Sequence, residues 1–244
     1  MTTLAEQFGM SQSTARMLTK ALQQASPIIM GYLPVGFAYG VLAQNVGISL
    51  LNTVLMSVIV YAGSSQLIAV GLIGSLISPL SIIVTTLIVN LRHLLMSAAL
   101  SPYMKTWSSL QIAAFSFELT DETFALHSQR FVHESPHAPE EKRSALAINL
   151  LVQSSWVVGS WLGFSAGTLI PDVRPVGLDF ALPAMFITLL VGQVKNGLHL
   201  MVALLSGSLA TALLLLGVDQ WNVIVATVVT AALGATLEGS WNKD

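Results

Sequence analysis

Three acidic residues stand close together in one short and otherwise largely apolar segment. Glu118, Asp121 and Glu122 are three and four residues apart, so on a helix they would share one face. Like charges at that spacing repel, and in an apolar setting at least one of these carboxylates is expected to bind a proton. Such a group can carry a coupling proton between two surroundings. The alternative is that these acids form the solvated end of an interfacial helix.

A second polar cluster consists of Asn90, Arg92 and His93. An arginine at membrane depth costs at least about 2.5–3.5 kcal/mol on insertion scales, so it is expected to have a functional or structural role. Arg92 is predicted either to attract a substrate carboxylate or to pair statically with one of the acids in 110–127. His93 could relay protons because imidazole titrates near neutral pH, or it could simply be hydrogen-bonded.

A third cluster, Gly63, Ser64, Ser65 and Gln66, follows Tyr61 in an apolar run. Polar groups there are costly unless they pair, so a local unwinding of the helix is one prediction. Amides at the start of the following half-helix, at its positive dipole end, could then hold a substrate carboxylate. The other interpretation is that the hydroxyls bond back to their own helix and that Gln66 pairs with a neighbour.

Prolines and glycines suggest where helices bend or approach each other. Pro27 and Pro34 each delete a backbone donor, so a kinked or broken helix is expected there, and Pro34 could line a substrate site. The alternative is a kink absorbed by neighbouring helices, with Gly36 and Gly40 allowing close contact. A further set repeats at four-residue spacing and indicates packing: Gly159, Gly163 and Gly167.

Enzyme and metal motifs give no support for catalysis. His133-Glu-Ser-Pro-His137 matches the H-E-x-x-H zinc pattern, but Pro136 would disrupt the helix on which that motif depends. No lysine follows a glycine, so the nucleotide-binding G-x-x-x-x-G-K-[ST] pattern is absent. The sequence predicts neither a catalytic site, a metal site nor a cofactor.

The composition is that of an integral membrane protein. Of 244 residues, 54% are hydrophobic and only 9% charged, whereas soluble domains carry about 25% charged residues. No charged residue lies between Lys20 and Arg92. The net charge of −2 offers no basic surface for nucleic acid. There is no cysteine, which excludes disulfides and thiolate sites.

Apolar runs between polar breaks predict an all-α fold with seven or eight transmembrane helices, some of them broken or re-entrant. Seven runs are clear: 22–43, 53–74, 78–100, 144–168, 179–194, 197–217 and 221–238. The segment 110–127 is ambiguous. If it crosses, seven lysines and arginines lie inside and two outside, with both chain ends cytoplasmic; if it does not, the better count is six against three. Eight crossings are therefore preferred.

The polar stretch 128–143 divides the chain. It is predicted to be a cytoplasmic loop between a first bundle, 21–127, and a second bundle, 144–244. Residues 1–20 form a cytoplasmic N-terminal segment in this scheme, and 11–25 could form a short helix on the membrane surface.

The motifs, in their order and spacing, resemble the large subunit of bacterial branched-chain amino acid exporters, the AzlC or YgaZ family. The matching pieces extend over most of the chain: Pro34-Val-Gly36-Phe37, Tyr61-Ala-Gly63-Ser64-Ser65-Gln66, Asn90-Leu-Arg92-His93, Thr120-Asp121-Glu122-Thr-Phe124 and Gly177-Leu-Asp179-Phe180-Ala181.

The resemblance implies an exporter of valine, leucine and isoleucine, with methionine as a further candidate substrate, in a bacterial cytoplasmic membrane and driven by an ion gradient. It also implies a small separate hydrophobic subunit of the AzlD or YgaH type. From the residues alone, an exporter of another small amphiphile, a passive channel and an intramembrane hydrolase stay open as alternatives. A hydrolase would need a nucleophile held beside a base, and no G-x-S-x-G elbow is present.

Overall fold

The computed structural model describes residues 12–133, 138–169, 196–218 and 222–241, with isolated positions between 177 and 194. This part of the chain is helical. The α-helices are α1 Gln12–Asn45, α2 Leu50–Leu55, α3 Gly63–Gly74, α4 Pro79–Leu100, α5 Ser109–Phe117, α6 Asp121–His133, α7 Pro139–Gly167, α8 Gly197–Leu215 and α9 Asn222–Trp241. A π-helical turn, Met56–Val60, extends α2, and a 3₁₀ turn, Ser101–Met104, follows α4.

Four helices are long and apolar enough to cross a membrane: α1, α4 with its 3₁₀ turn, α7 and α8. Several helix starts follow local sequence rules. The Ser49 and Ser78 side chains accept from the third residue after them, and Ser108 forms a full capping box with Gln111. Pro79 and Pro139 occupy first-turn positions, where a missing N–H costs little.

Helix α1 is a single helix of 34 residues that contains Pro27 and Pro34, so the expected break is not present. The reason is support from a neighbour, because α1 packs along its length against α7. Residues 12–25, for which the sequence also allowed a separate surface helix, form the first part of α1.

The contact between α1 and α7 consists of facing glycines, as predicted for the 159, 163 and 167 repeat. A Cβ atom on Gly40 would overlap the Ser160 carbonyl oxygen, and one on Gly163 would overlap that of Phe37. Near the start of both helices, Ala21 and Ala25 pack with Ile148 and Val152. Residue numbers rise together along both helices, so α1 and α7 run parallel.

Residues 50–74 fold back on themselves and do not form the single crossing predicted at 53–74. We call them the first hairpin. The Gln66 side chain reaches Ser57 on the other arm across 3.3 Å. At the open end, Gly74 lies against Val46, which follows the end of α1. The hairpin therefore enters and leaves at the same end of the bundle, with its tip at Tyr61 and Ala62.

Residues 109–133 form a second hairpin, so the predicted crossing at 110–127 is wrong as well. Lys142, in the first turn of α7, donates to the Thr106 carbonyl across 2.6 Å, which places the start of α5 beside the start of α7. Arg130, near the end of α6, pairs with Glu141 at the same level. The tip lies at Glu118–Thr120. Because α1 and α7 are parallel, the two hairpins enter from opposite ends of the bundle.

The second hairpin is held by an aromatic cluster and one buried histidine. Trp107, Phe115 and Phe131 pack against one another in edge-on and tilted contacts, with ring centroids 5.3–6.3 Å apart. His127 is fully buried and hydrogen-bonds to Asn149 of α7 across 2.8 Å.

The chain divides into two compact units, Met1–Ala184 and Met185–Asp244, whereas the sequence suggested a division at 128–143. The pairing of α1 with α7 accounts for the difference, because it ties both sides of that loop together. In the second unit α8 and α9 form an antiparallel pair, in which Gly234 approaches Val202 and Asn222 reaches the Ala210 carbonyl.

Candidate functional site

The tips of the two hairpins meet at Arg92, in the middle of α4. The Arg92 guanidinium donates to the Ser64 hydroxyl, in the first turn of α3, across 2.5 Å. It also forms an ion pair with Asp121, the first residue of α6, across 2.7 Å. One cation therefore lies between the N-terminal ends of two half-helices, both of which carry a positive partial charge.

The first tip is an interrupted helix, as the Gly63–Gln66 segment predicted. Tyr61 adopts a left-handed conformation, with φ 42° and ψ 51°, and ends the π-helical turn. Helix α3 then begins at Gly63, and no side chain caps its start. Ser64 and Ser65 are both buried, so the free N–H groups of this first turn face the protein interior.

Polar side chains of the first tip pair with neighbouring helices and not with their own. Ser65 donates to the Asn90 side chain across 2.5 Å. Gln66 is fully buried and accepts from the Trp156 indole across 3.1 Å, as the neighbour-pairing interpretation predicted for this residue. The serine hydroxyls do not follow that interpretation, because Ser64 and Ser65 contact α4.

Trp156 of α7 lies directly under the first tip. A Cβ atom on Gly63 would come within 2.9 Å of the indole ring, so the absent side chain lets the tip rest on that ring. Tyr32 packs edge-on against Trp156 and Tyr39 stacks on it, with centroids 5.6 and 6.0 Å apart. This arrangement makes an aromatic floor beneath the uncapped helix start.

The second tip presents the acids. Thr120 and Thr123 cap the start of α6 reciprocally, with a 2.8 Å bond from the Thr120 amide to the Thr123 hydroxyl. Asp121 is held by Arg92, and Glu122 accepts a hydrogen bond from the Tyr32 hydroxyl of α1. Glu118 is half-buried and has no hydrogen-bond or ion-pair partner among the described residues.

Two buried polar atoms beside the tips have no partner within the described residues. One is the Tyr61 hydroxyl, on a side chain that is only 2% exposed, and the other is the Nε atom of Arg92. Buried polar groups are nearly always paired, so each is a candidate contact for a ligand.

Not every predicted site residue joins the cluster. Pro34 lies on an exposed part of α1, and His93 is half-buried without a hydrogen bond in the part of the chain that the structure describes. The His133–His137 motif reaches outside the described residues. Among those residues no group of three or more histidines or acids could hold a metal ion.

Sequence reasoning missed Tyr32, Tyr61 and Trp156 as members of the cluster. Tyr61 directly precedes the polar Gly63–Gln66 segment, and that position was the available signal. Tyr32 and Trp156 gave no comparable signal, because an aromatic residue in an apolar span resembles ordinary packing.

A cavity of about 520 Å³ opens between the arms of the first hairpin. It extends from the connection after α1 to the residue before the tip, and its lining is Gly47, Ile48, Ser49, Asn52, Leu55, Met56, Ile59, Val60 and Ile73. It therefore lies on the side of the tips from which the first hairpin enters.

Broken helices whose half-helix ends meet at an uncapped, partly charged centre are typical of membrane transport proteins. The family comparison agrees, because the model of the AzlC protein family matches residues 27–170. This chain belongs to the AzlC family.

The curated relatives are membrane proteins of similar length. The chain is 36% identical to an uncharacterized membrane protein of Archaeoglobus fulgidus, over 96% of this chain and 99% of the relative. It is 31% identical to the inner membrane protein YgaZ of Escherichia coli, over 88% of each. Identity to the branched-chain amino acid transport protein AzlC of Bacillus subtilis is 27%, over 81% of this chain and 76% of that protein. No solved structure matches the chain.

Proposed function

We propose that this chain is the membrane subunit of a secondary exporter of branched-chain amino acids such as valine. The observation that carries the proposal is the buried, uncapped start of α3 beside Arg92, which offers hydrogen-bond donors to a carboxylate in a chain rich in apolar spans. The relative from Bacillus subtilis, named as a branched-chain amino acid transport protein, supports the substrate class.

The substrate carboxylate binds at the first tip. Backbone N–H groups of the first turn of α3, from Gly63 to Ser65, point to it together with the free Nε of Arg92. Ser64, Ser65 and Asn90 fix the geometry, since each is hydrogen-bonded to a partner on the facing helix. The floor formed by Trp156 supplies an apolar surface for the aliphatic side chain.

The coupling proton binds at the second tip, on Asp121 or Glu122. A substrate carboxylate that reaches Arg92 competes with Asp121 for the same guanidinium, so substrate binding changes the electrostatic surroundings of this tip. Export driven by protons that flow inward is an exchange, so these acids carry the proton inward after the substrate has left. Glu118 and His93 are further candidates for this proton path.

We infer six crossings and two membrane-embedded hairpins in place of eight crossings. In the described part of the first unit, α1, α4 and α7 cross the membrane. Helices α8 and α9 are two further crossings. The sixth is the span that the sequence predicts at 179–194, which lies largely outside the described residues. Six lysines and arginines lie at the end where α1 and α7 begin: Arg16, Lys20, Lys105, Arg130, Lys142 and Arg143. The described residues place none at the opposite end. The positive-inside rule makes the first end cytoplasmic, with both chain termini inside.

The cavity in the first hairpin then faces the outer side and forms the path by which the substrate leaves. Its lining is mostly apolar, with Ser49 and Asn52 as polar members, which suits an amino acid with an aliphatic side chain. The second hairpin enters from the cytoplasmic side, so its tip faces the substrate that arrives from the cytoplasm.

The exporter includes a second small hydrophobic subunit of the AzlD or YgaH type, as the resemblance to the AzlC or YgaZ family implies. It resides in a bacterial inner membrane, which the inner-membrane relative from Escherichia coli supports.

Counterflow of labelled valine in proteoliposomes that contain this chain together with a small AzlD-like subunit tests the proposed function. Vesicles loaded with unlabelled valine should accumulate labelled valine above its outside concentration for a time, because a carrier exchanges one molecule for another. A passive channel would equilibrate the label without accumulation, and an exporter of a different amphiphile would show counterflow only with that compound.

A further inference from the structure

Tyr61 combines three properties that structural packing alone does not account for. It is a bulky residue in a left-handed conformation, which is strained for any side chain with a Cβ atom. Its side chain is 2% exposed, and its hydroxyl has no hydrogen-bond partner in the described chain. A phenylalanine would fill the same space without leaving a buried hydroxyl unpaired.

The surroundings of this hydroxyl are acidic. Tyr61 lies within electrostatic range of Glu118 and Glu122, which belong to the opposite hairpin. Glu122 accepts a hydrogen bond from the Tyr32 hydroxyl, and Asp121 forms an ion pair with Arg92. Glu118 has no partner among the described residues. A carboxylate and a phenol oxygen, neither with a hydrogen-bond partner in the described chain, therefore belong to the two tips that meet at Arg92.

We propose that Tyr61 and Glu118 form a subsite for the α-ammonium group of the substrate. This inference deepens the proposed function and rests on it. An ammonium group has three donors and no acceptor, so it needs acceptor oxygens, which the Tyr61 phenol and the Glu118 carboxylate supply. The carboxylate of the same amino acid binds at the start of α3, next to Tyr61 in the chain.

The two subsites lie on different hairpins. The first hairpin carries the carboxylate donors and Tyr61, and the second carries Glu118. A zwitterion therefore bridges the tips, whereas a molecule that lacks either charge satisfies only one of them. The site selects amino acids over carboxylic acids and amines with the same side chain.

The test combines a change in the protein with a change in the ligand. In proteoliposomes that contain the chain together with a small AzlD-like subunit, labelled-valine counterflow is measured with the wild-type chain and with Tyr61→Phe and Glu118→Gln. Its inhibition by 3-methylbutanoate, which is valine without the amino group, is measured in parallel. Both variants should raise the valine concentration for half-maximal counterflow on the order of tenfold, the cost of a lost charge-assisted hydrogen bond. The inhibitory concentration of 3-methylbutanoate should stay unchanged.

Tyr103→Phe is the control. Tyr103 is partly buried and packs against Phe131 near the open end of the second hairpin, away from both tips. This variant should keep wild-type affinity for valine. If 3-methylbutanoate does not inhibit the wild type at all, the ammonium group is indispensable for binding, and the comparison of Tyr61→Phe with Tyr103→Phe is then the test of the subsite.

Two outcomes would overturn the subsite. One is an equal loss of affinity for valine and 3-methylbutanoate in the Tyr61 and Glu118 variants, and the other is no loss for valine in either variant. Wild-type vesicles without any valine counterflow would contradict the proposed function itself, so the two failures are distinguishable.

Discussion

Arg92 and Asp121 form an ion pair across 2.7 Å that joins the middle of α4 to the first residue of α6. The same guanidinium donates to Ser64 at the start of α3, so one side chain connects the tips of both hairpins. Both partners are partly exposed, at 26% and 18%, which leaves the pair open to exchange with a substrate carboxylate.

Replacing Arg92 with glutamine should weaken every mode of transport. The variant loses the donor that we assign to the substrate carboxylate, so the valine concentration for half-maximal exchange should rise on the order of tenfold. Exchange and gradient-driven export should weaken together, because both require bound substrate. Lys105→Gln, at an exposed position outside the site, is the control, and equal affinity in the two variants would rule out a substrate contact at Arg92.

The Arg92 ion pair also contributes to stability. Arg92→Gln leaves the Asp121 carboxylate without its cation and should lower the unfolding temperature in detergent. The double variant Arg92→Gln, Asp121→Asn should recover much of that loss, while transport should stay weak. Recovery of transport together with stability would mean that the pair has only a structural role.

Variants of the acidic residues in the second tip should separate proton-coupled export from exchange. Asp121→Asn and Glu122→Gln cannot alternate between charged and neutral forms, so uphill export should be abolished while exchange at zero gradient largely survives. Glu141→Gln is a suitable control, because Glu141 pairs with Arg130 near the start of α7. Normal uphill export with normal pH dependence in both tip variants would show that these acids are not the coupling site.

Helix packing offers a direct test of the fold. Gly40→Ala should destabilise the protein by about 1–3 kcal/mol, since the new methyl group would overlap the Ser160 carbonyl on α7. Gly31→Ala is the matched control for Gly40→Ala, because Gly31 lies in the same helix and an added Cβ would meet nothing within 4 Å. That control should leave stability unchanged or raise it slightly, given the helix preference of alanine. Equal unfolding temperatures for the two variants would contradict the described α1–α7 contact.

The proposed small subunit can be tested in cells. Expressed alone in cells, this chain should fail to lower intracellular valine, and co-expression with a small AzlD-like subunit should restore export. Full export by the purified single chain would show that the second subunit is dispensable.

Much of the site was predictable because polar and charged side chains have a high free-energy cost at membrane depth. Arg92, Asn90 and the Gly63–Gln66 segment interrupt apolar runs, and the structure brings them together with Asp121. Their roles in binding and coupling stay predictions. Tyr32 and Trp156 could not be assigned, since an aromatic side chain in an apolar helix has the same sequence pattern in packing and in binding.

The course of the chain was harder to predict than its helices. A stretch of about 20 apolar residues has the same composition whether it crosses or folds back at its middle. Gly63 indicated the interruption of 53–74, but the reversal depends on the contacts between Gln66 and Ser57 and between Gly74 and Val46, which are distant along the chain. The same holds for 110–127, where the return to the cytoplasmic end depends on Lys142 and Thr106.

Labelling of single cysteines tests whether each hairpin returns to the side of the membrane from which it enters, and there is no background from native cysteine. Ser75 lies in the connection between α3 and α4, and Lys105 in the connection between α4 and α5. In intact cells, Ser75→Cys should react with an impermeant thiol reagent and Lys105→Cys should be shielded. Ile48→Cys should react and Ser135→Cys should be shielded in this topology and in the eight-crossing one, so they serve as references. A shielded Ser75→Cys together with a reactive Lys105→Cys would contradict the hairpins and restore eight crossings.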